Sequence, residues 1–214
     1  MTTTHLVHNK VRLALHELRP SNGIPLLLLH GLGEHSPDAV PDRMAAWPGP
    51  VHALDFTGHG HSTIPRGGGY SAELLMADVD VALAELGPST VVGRGLGAYI
   101  AVLIAGARPE LVRGAVLEDG PGLFGGPTGP TSPFVLVAPP AEGPPDPYAL
   151  LELASDVRTG DYVVTYARHA MERSGIDQPF ALAAHGRPPW LAAIIDSLLL
   201  QPTTTERALA GYAG

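Results

Sequence analysis

Short apolar runs alternate with longer amphipathic stretches along this chain, and the two periods predict strands and helices in turn. His5–His8 and Val11–Leu18 alternate apolar and polar positions around Asn9-Lys10, which predicts an antiparallel hairpin. Pro25–Leu29 is a continuous apolar run ending in His30-Gly31, the pattern of a strand buried on both faces of a parallel sheet. Val51–Leu54 closed by Asp55, Thr90–Val92, Ala115–Leu117 ending at Glu118-Asp119, Phe134–Val137 and Phe180–Ala184 ending at His185 read as further strands. Asp38–Trp47 is predicted as a short helix. Ser71 caps a longer one, in which Leu74, Leu75, Asp78, Val81, Ala82 and Leu86 follow helical spacing until Gly87-Pro88 ends it. Ala98–Ala107 is apolar nearly all round, so it predicts a buried helix. Pro147–Val157, Asp161–Ser174, Trp190–Leu199 and Glu206–Tyr212 are the remaining predicted helices.

Strands that alternate with helices give an α/β fold: a doubly wound, mostly parallel sheet, here with an N-terminal antiparallel hairpin at one edge. Ligands in such sheets sit at the carboxyl ends of the strands. Four segments bring polar or glycine-rich residues to that edge: His30–His35, Asp55–Ser62, Gly93–Gly97 and Glu118–Gly120. No internal repeat or domain boundary is visible, so residues 1–214 are expected to form a single domain. Glycine and proline concentrate in Gly120–Pro147, which reads as a long surface loop enclosing the Phe134–Val137 strand.

Composition narrows the chemistry. The formal net charge of -8 argues against a nucleic-acid surface and against a basic membrane-surface patch. There are no cysteines, which excludes thiolate catalysis, disulfides and Cys-ligated zinc. The N-terminus has no basic region followed by a long apolar core, and the longest apolar runs are too short to span a bilayer. The expectation is a soluble cytoplasmic protein with a small-molecule ligand, without nucleic acid, membrane or cofactor; its oligomeric state is not predicted.

Three motifs carry the candidate chemistry. Leu26–Gly33 reads L-L-L-L-H-G-L-G, a strand into His30-Gly31, where backbone N–H groups such as that of Leu32 can face a developing oxyanion. Asp55–Ser62 reads D-F-T-G-H-G-H-S, a compact loop of turn-forming residues in which Asp55, His59 and Ser62 act as scaffold. Gly93–Gly97 reads G-R-G-L-G after a strand and before a helix, the setting of a G-x-S-x-G nucleophile elbow, with Arg94 beside the central position and the N–H of Leu96 as a second oxyanion donor.

The order and spacing of these motifs over Val11–Asp119 resemble the α/β-hydrolase superfamily, most closely its branch of small bacterial esterases, lactonases and peroxidases. The resemblance implies a nucleophile at the centre of the elbow, followed by an acid and then a histidine. The central residue here is Gly95, which has no side chain to attack a carbonyl. The acid candidates are Asp146 and Asp119, and the base candidate is His185 in A-A-H-G-R-P-P-W. His169, inside a predicted helix, reads as a surface residue. Little or no cap domain is expected, with Pro147–Ser174 as a reduced or displaced version.

The resemblance therefore implies a hydrolase-like protein that lacks serine-nucleophile catalysis and binds a small acyl, ester or lactone ligand near Leu32, Gly95 and Leu96. One alternative is hydrolysis by a non-standard route, with His185 or His59 activating water or Ser62 standing in as nucleophile. A second is dinucleotide binding, because Gly93–Ala98 also matches G-x-G-x-x-G/A and Glu118 or Asp119 follows the next strand. A third is a metal held by His30, His35, Asp55, His59 and His61, which lacks any i, i+4 ligand pair on a helix and is not the expected reading.

Overall fold

The computed structural model describes residues 1–123, 143–155 and 158–213. The strands are β1 (Thr2–His8), β2 (Val11–Arg19), β3 (Leu26–Leu29), β4 (Val51–Asp55), β5 (Ser89–Arg94), β6 (Val112–Glu118) and β7 (Phe180–Leu182). Among the described residues they form a seven-stranded sheet in the order β1-β2-β4-β3-β5-β6-β7. β1, β2 and β4 pair antiparallel, and β4, β3, β5, β6 and β7 pair parallel. This is the doubly wound sheet with an N-terminal hairpin that the alternation predicts. Asn9 adopts a positive φ of 55° in the hairpin turn, a conformation that asparagine tolerates.

The helices are α1 (Ala72–Leu86), α2 (Leu96–Ala107), α3 (Pro147–Glu152), α4 (Gly160–Arg173), α5 (Pro189–Leu198) and α6 (Thr205–Tyr212). The Ser71 side chain accepts a hydrogen bond from Leu74 N at the start of α1, and Gly87 (φ 75°) ends that helix. Eleven residues of α2, Leu96 to Gly106, are buried. Its inner side faces β3, β5 and β6 while α1 and α4 cover its outer side, which is why its sequence shows no polar face.

Two apolar clusters flank the sheet, and the two-residue period of each strand divides its side chains between them. Leu27, Leu29, Val91 and Leu117 join the cluster under α1, α2, α4 and α5. Leu26, Leu28, Val92 and Val116 face the opposite side, with Met44, Trp47 and Leu209.

Several elements differ in kind or extent from expectation. The segment predicted as a helix at Asp38–Trp47 holds only a 3-10 turn at Asp42–Met44, because Pro41 lies immediately before it and lacks an N–H. The helix predicted at Pro147–Val157 ends at Glu152. The hairpin's first strand begins at Thr2 rather than His5. The strand predicted at Phe134–Val137 lies outside the described residues. No described helix is long and apolar enough to cross a membrane.

Candidate active-site region

The turn between β5 and α2 consists of one residue, Gly95, at φ 50° and ψ -111°. Residues with a side chain rarely adopt this backbone. Glycines at 93 and 97 follow from the close contact of strand and helix: a Cβ on Gly93 would lie 2.3 Å from Gly97 O, and one on Gly97 would lie 2.4 Å from Leu29 O. The G-x-G-x-x-A match to a dinucleotide fingerprint is thus accounted for by packing. The space in front of Gly95 is also taken, since a Cβ there would lie 2.3 Å from both Gly120 C and Pro121 O.

Pro121 is central to this region. Its carbonyl oxygen accepts from Leu32 N and from Leu96 N, each at 2.9 Å. These are the two N–H groups that the sequence reading assigns to an oxyanion, and they converge on one oxygen. Gly31 is also pressed by this residue, because a Cβ there would lie 2.7 Å from Pro121 Cδ. The Gly120–Gly122 turn thus lies across the elbow, with its own peptide carbonyl between the paired donors.

The structure brings one acid candidate to the histidine. Asp119 follows β6, and its carboxylate accepts from His185 N and Gly186 N, both at 2.8 Å, with His185 Nδ1 at 3.2 Å. Slight burial acts upward on Asp119, but these donors outweigh it and hold the carboxyl below its ordinary range. The pair is open to solvent, His185 being 97% exposed. Asp146 is engaged elsewhere. It is buried, caps α3 by accepting from Tyr148 N, and accepts from the Tyr70 hydroxyl at 2.6 Å. His169, on α4, places Nδ1 2.6 Å from Gly106 O.

The scaffold residues are tied down by hydrogen bonds. His30 donates from Nδ1 to Gly31 O at 2.7 Å, which leaves Nε2 to accept Phe56 N at 3.1 Å. Burial, with His59 nearby, lowers its pKa to about 4, so this ring is neutral at pH 7. His59 is fully buried between Thr57 O and Gly33 N. Asp55 is also fully buried; burial pushes its carboxyl up, but donors from His61 N, His16 Nε2 and Ser36 N bring it well below the usual range. Ser62 Oγ donates to Asp55 O at 2.6 Å and accepts from Ala14 N at 2.9 Å.

His16, Asp55 and His61 place possible metal-ligand atoms within 4.8 Å of one another. Asp55 and His61 are among the metal candidates that the sequence offers; His16 is not. The available signal is a lone imidazole directly after the apolar run Leu13–Leu15 of β2. The mutual hydrogen bonds account for this arrangement, and His30, His35 and His59 are not part of it.

Arg94 makes a two-bond ion pair with Glu34. Beside it lies a cavity of about 500 Å³ at the carboxyl ends of β3 and β5, lined also by Arg43, Glu118, His30 and His35.

Known proteins are similar to this chain in sequence or in fold. Residues 24–140, more than half the chain, match the family described as serine aminopeptidase, S33. The esterase Rv0045c of Mycobacterium tuberculosis is 36% identical over 111 residues, covering 50% of this chain and 36% of that protein. A serine hydrolase-like protein of Danio rerio is 33% identical over 106 residues, covering 47% and 32%. The matched part of this chain thus spans about a third of each relative. Among solved structures, the hypothetical protein PA1622 of Pseudomonas aeruginosa PAO1 covers 100% of this chain and 97% of its own, at TM-score 0.65 and 20% identity. A membrane phospholipase A covers 95% and 77%, at TM-score 0.55 and 20% identity, and like PA1622 it speaks to the fold alone. With the sheet order, the elbow between β5 and α2 and the family match in agreement, the chain belongs to the α/β-hydrolase superfamily, in the family described as serine aminopeptidase, S33.

Proposed function

We propose that this chain is a non-catalytic relative of the esterases, which binds a small molecule without serine-type hydrolysis. The observation that carries this reading is the Pro121 carbonyl shared by Leu32 N and Leu96 N. A substrate carbonyl would need the same two donors, so it competes with a tethered internal carbonyl. Gly95 offers no nucleophile, and the space for a side chain there is filled by Gly120 and Pro121. Ser62 does not replace it, because both hydrogen-bonding roles of its hydroxyl are committed inside the scaffold. Removal of a nucleophile costs about a million-fold in kcat, with a residual ~10³–10⁴ over water where binding and oxyanion contacts survive. Here the oxyanion contacts are occupied as well. An acyl, ester or lactone ligand at Leu32, Gly95 and Leu96 would first displace the Gly120–Pro121 turn.

A second reading has one contact in its favour. Asp119 orients His185, as an acid orients a base that activates water. Its weakness is exposure: a histidine in bulk solvent gains no dry, preorganised site.

The test is the purified chain on short-chain aryl esters, with a fluorophosphonate probe in parallel. The expected result is buffer-level hydrolysis and no labelled serine. Labelling of any serine overturns the proposal. Turnover without labelling that disappears in His185→Ala would select the water-activating reading instead.

A further inference from the structure

The cavity beside the elbow has a wall chemistry of its own. Leu28, Val92 and Met44, from the apolar cluster on that side of the sheet, give it a small apolar floor, and Arg43 and Arg94 stand in the same lining. Each arginine is held by a glutamate in the same way. Glu118 takes the Nε and Nη2 of Arg43 at 2.6 and 2.7 Å. Glu34 takes the Nε and Nη2 of Arg94 at 3.1 and 2.8 Å. A guanidinium has five N–H donors, so each keeps its outer Nη1 edge and one hydrogen of Nη2 without a partner among the described residues.

The glutamates are closer to saturation. Glu118 Oε1 also accepts the Thr205 hydroxyl at 2.6 Å, and Glu34 Oε2 also accepts Gly31 N at 2.9 Å. With about four acceptor sites per carboxylate, roughly six guanidinium N–H groups remain against about two lone pairs. The unused capacity of these charged side chains is therefore mostly donor. The two cations and two anions offset each other, so the lining does not call for a multiply charged ligand. A volume of about 500 Å³ is in the range of small-molecule sites.

We propose that this cavity binds a small monocarboxylate with an apolar body, its carboxylate end-on to the free edges of Arg43 and Arg94 and its body against Leu28, Val92 and Met44. This deepens the binding reading above and uses different atoms. Fluorophosphonate labelling would overturn the non-hydrolytic reading and leave the cavity's assignment standing. Absence of carboxylate binding would overturn the cavity's assignment and leave the elbow as it is.

The experiment is isothermal titration of the chain with hexanoate and phenylacetate, against hexanamide and inorganic phosphate. A second readout is the Met44 signal in spectra of ¹³C-methyl-methionine protein, assigned with Met44→Leu. Saturable binding of at least one carboxylate is expected, with a shift of the Met44 methyl. Hexanamide and phosphate should bind at least ~10-fold more weakly, the scale of a charge-assisted hydrogen bond. Arg94→Gln should weaken carboxylate binding ~10-fold or more while the chain stays folded, because its ion pair is half-exposed. The proposal is overturned if neither carboxylate saturates, if hexanamide or phosphate binds as well, or if a folded Arg94→Gln and the Met44 methyl are both indifferent to ligand.

Discussion

The amide of Leu96, the first residue of α2, donates to the carbonyl of Pro121 at 2.9 Å. In a catalytic elbow the corresponding donor would face the oxygen of a substrate. Here it faces the chain itself, and Leu32 N makes the same commitment to the same oxygen. A helix N-terminus carries partial positive charge, so a carbonyl oxygen there is electrostatically favoured. The internal contact therefore stabilises the closed elbow rather than merely obstructing it.

This relationship predicts the behaviour of Gly95→Ser. The new Cβ would lie 2.3 Å from Gly120 C and Pro121 O, on a backbone at φ 50°. Backbone strain and overpacking together should cost about 2–5 kcal/mol. Thermal unfolding should show a lowered Tm, and the fluorophosphonate probe should not label residue 95. A variant as stable as the parent and readily labelled would show that the Gly120–Pro121 turn yields easily.

Ser62→Ala separates scaffold from chemistry. The hydroxyl is the partner of Ala14 N, and its loss leaves that buried donor unsatisfied, at about 1–3 kcal/mol. Denaturant unfolding should register the loss, and ester hydrolysis should stay at the level of the unmodified chain. A fall in hydrolysis with stability preserved would make Ser62 a reacting group.

At the Asp119–His185 pair the two substitutions should differ. The His185 ring is almost wholly exposed, so His185→Ala should change stability by less than about 0.5 kcal/mol. Asp119→Ala removes the acceptor of two backbone N–H groups and should cost about 1 kcal/mol, with faster amide exchange at His185 and Gly186. Equal and negligible effects would mean that the carboxylate does not hold this turn.

Asp78 governs a pH effect. Burial raises its carboxyl from 3.8 to about 6, against the lowering pull of hydrogen bonds from Thr57 and His8. The folded state therefore holds more protons than the unfolded chain between about pH 4 and 6, and this group's contribution falls as pH rises through that window. Asp78→Asn keeps an acceptor for Thr57 N and cannot ionise. From pH 4 to pH 7 the variant should gain on the parent by on the order of 3 kcal/mol, read from urea unfolding at each pH. A pH-independent difference would place the Asp78 pKa near its ordinary value.

Much of this was legible in the sequence for local reasons. The alternation along Val11–Leu18, the Ser71 cap and the Gly87 stop each act within a few residues, and so does the need for small residues around the elbow. The helix predicted at Asp38–Trp47 is only a 3-10 turn at Asp42–Met44, because Pro41 inside the segment has no N–H for a helical hydrogen bond. His16 was missed because its partner Asp55 lies 39 residues away on a neighbouring strand.

The sequence by itself determined the alternation of strands and helices, the sharp turn at Gly95 and the absence of a nucleophile there, since all of these depend on residue identity and near-neighbour sterics. Only the tertiary structure decided what fills the space that Gly95 leaves. Pro121 meets Leu32 and Leu96 from a loop, and Arg43 and Arg94 meet Glu118 and Glu34 across separations of 75 and 60 residues. Hydrophobic periodicity carries no record of such contacts, because they are set by which strand ends the folded sheet brings side by side.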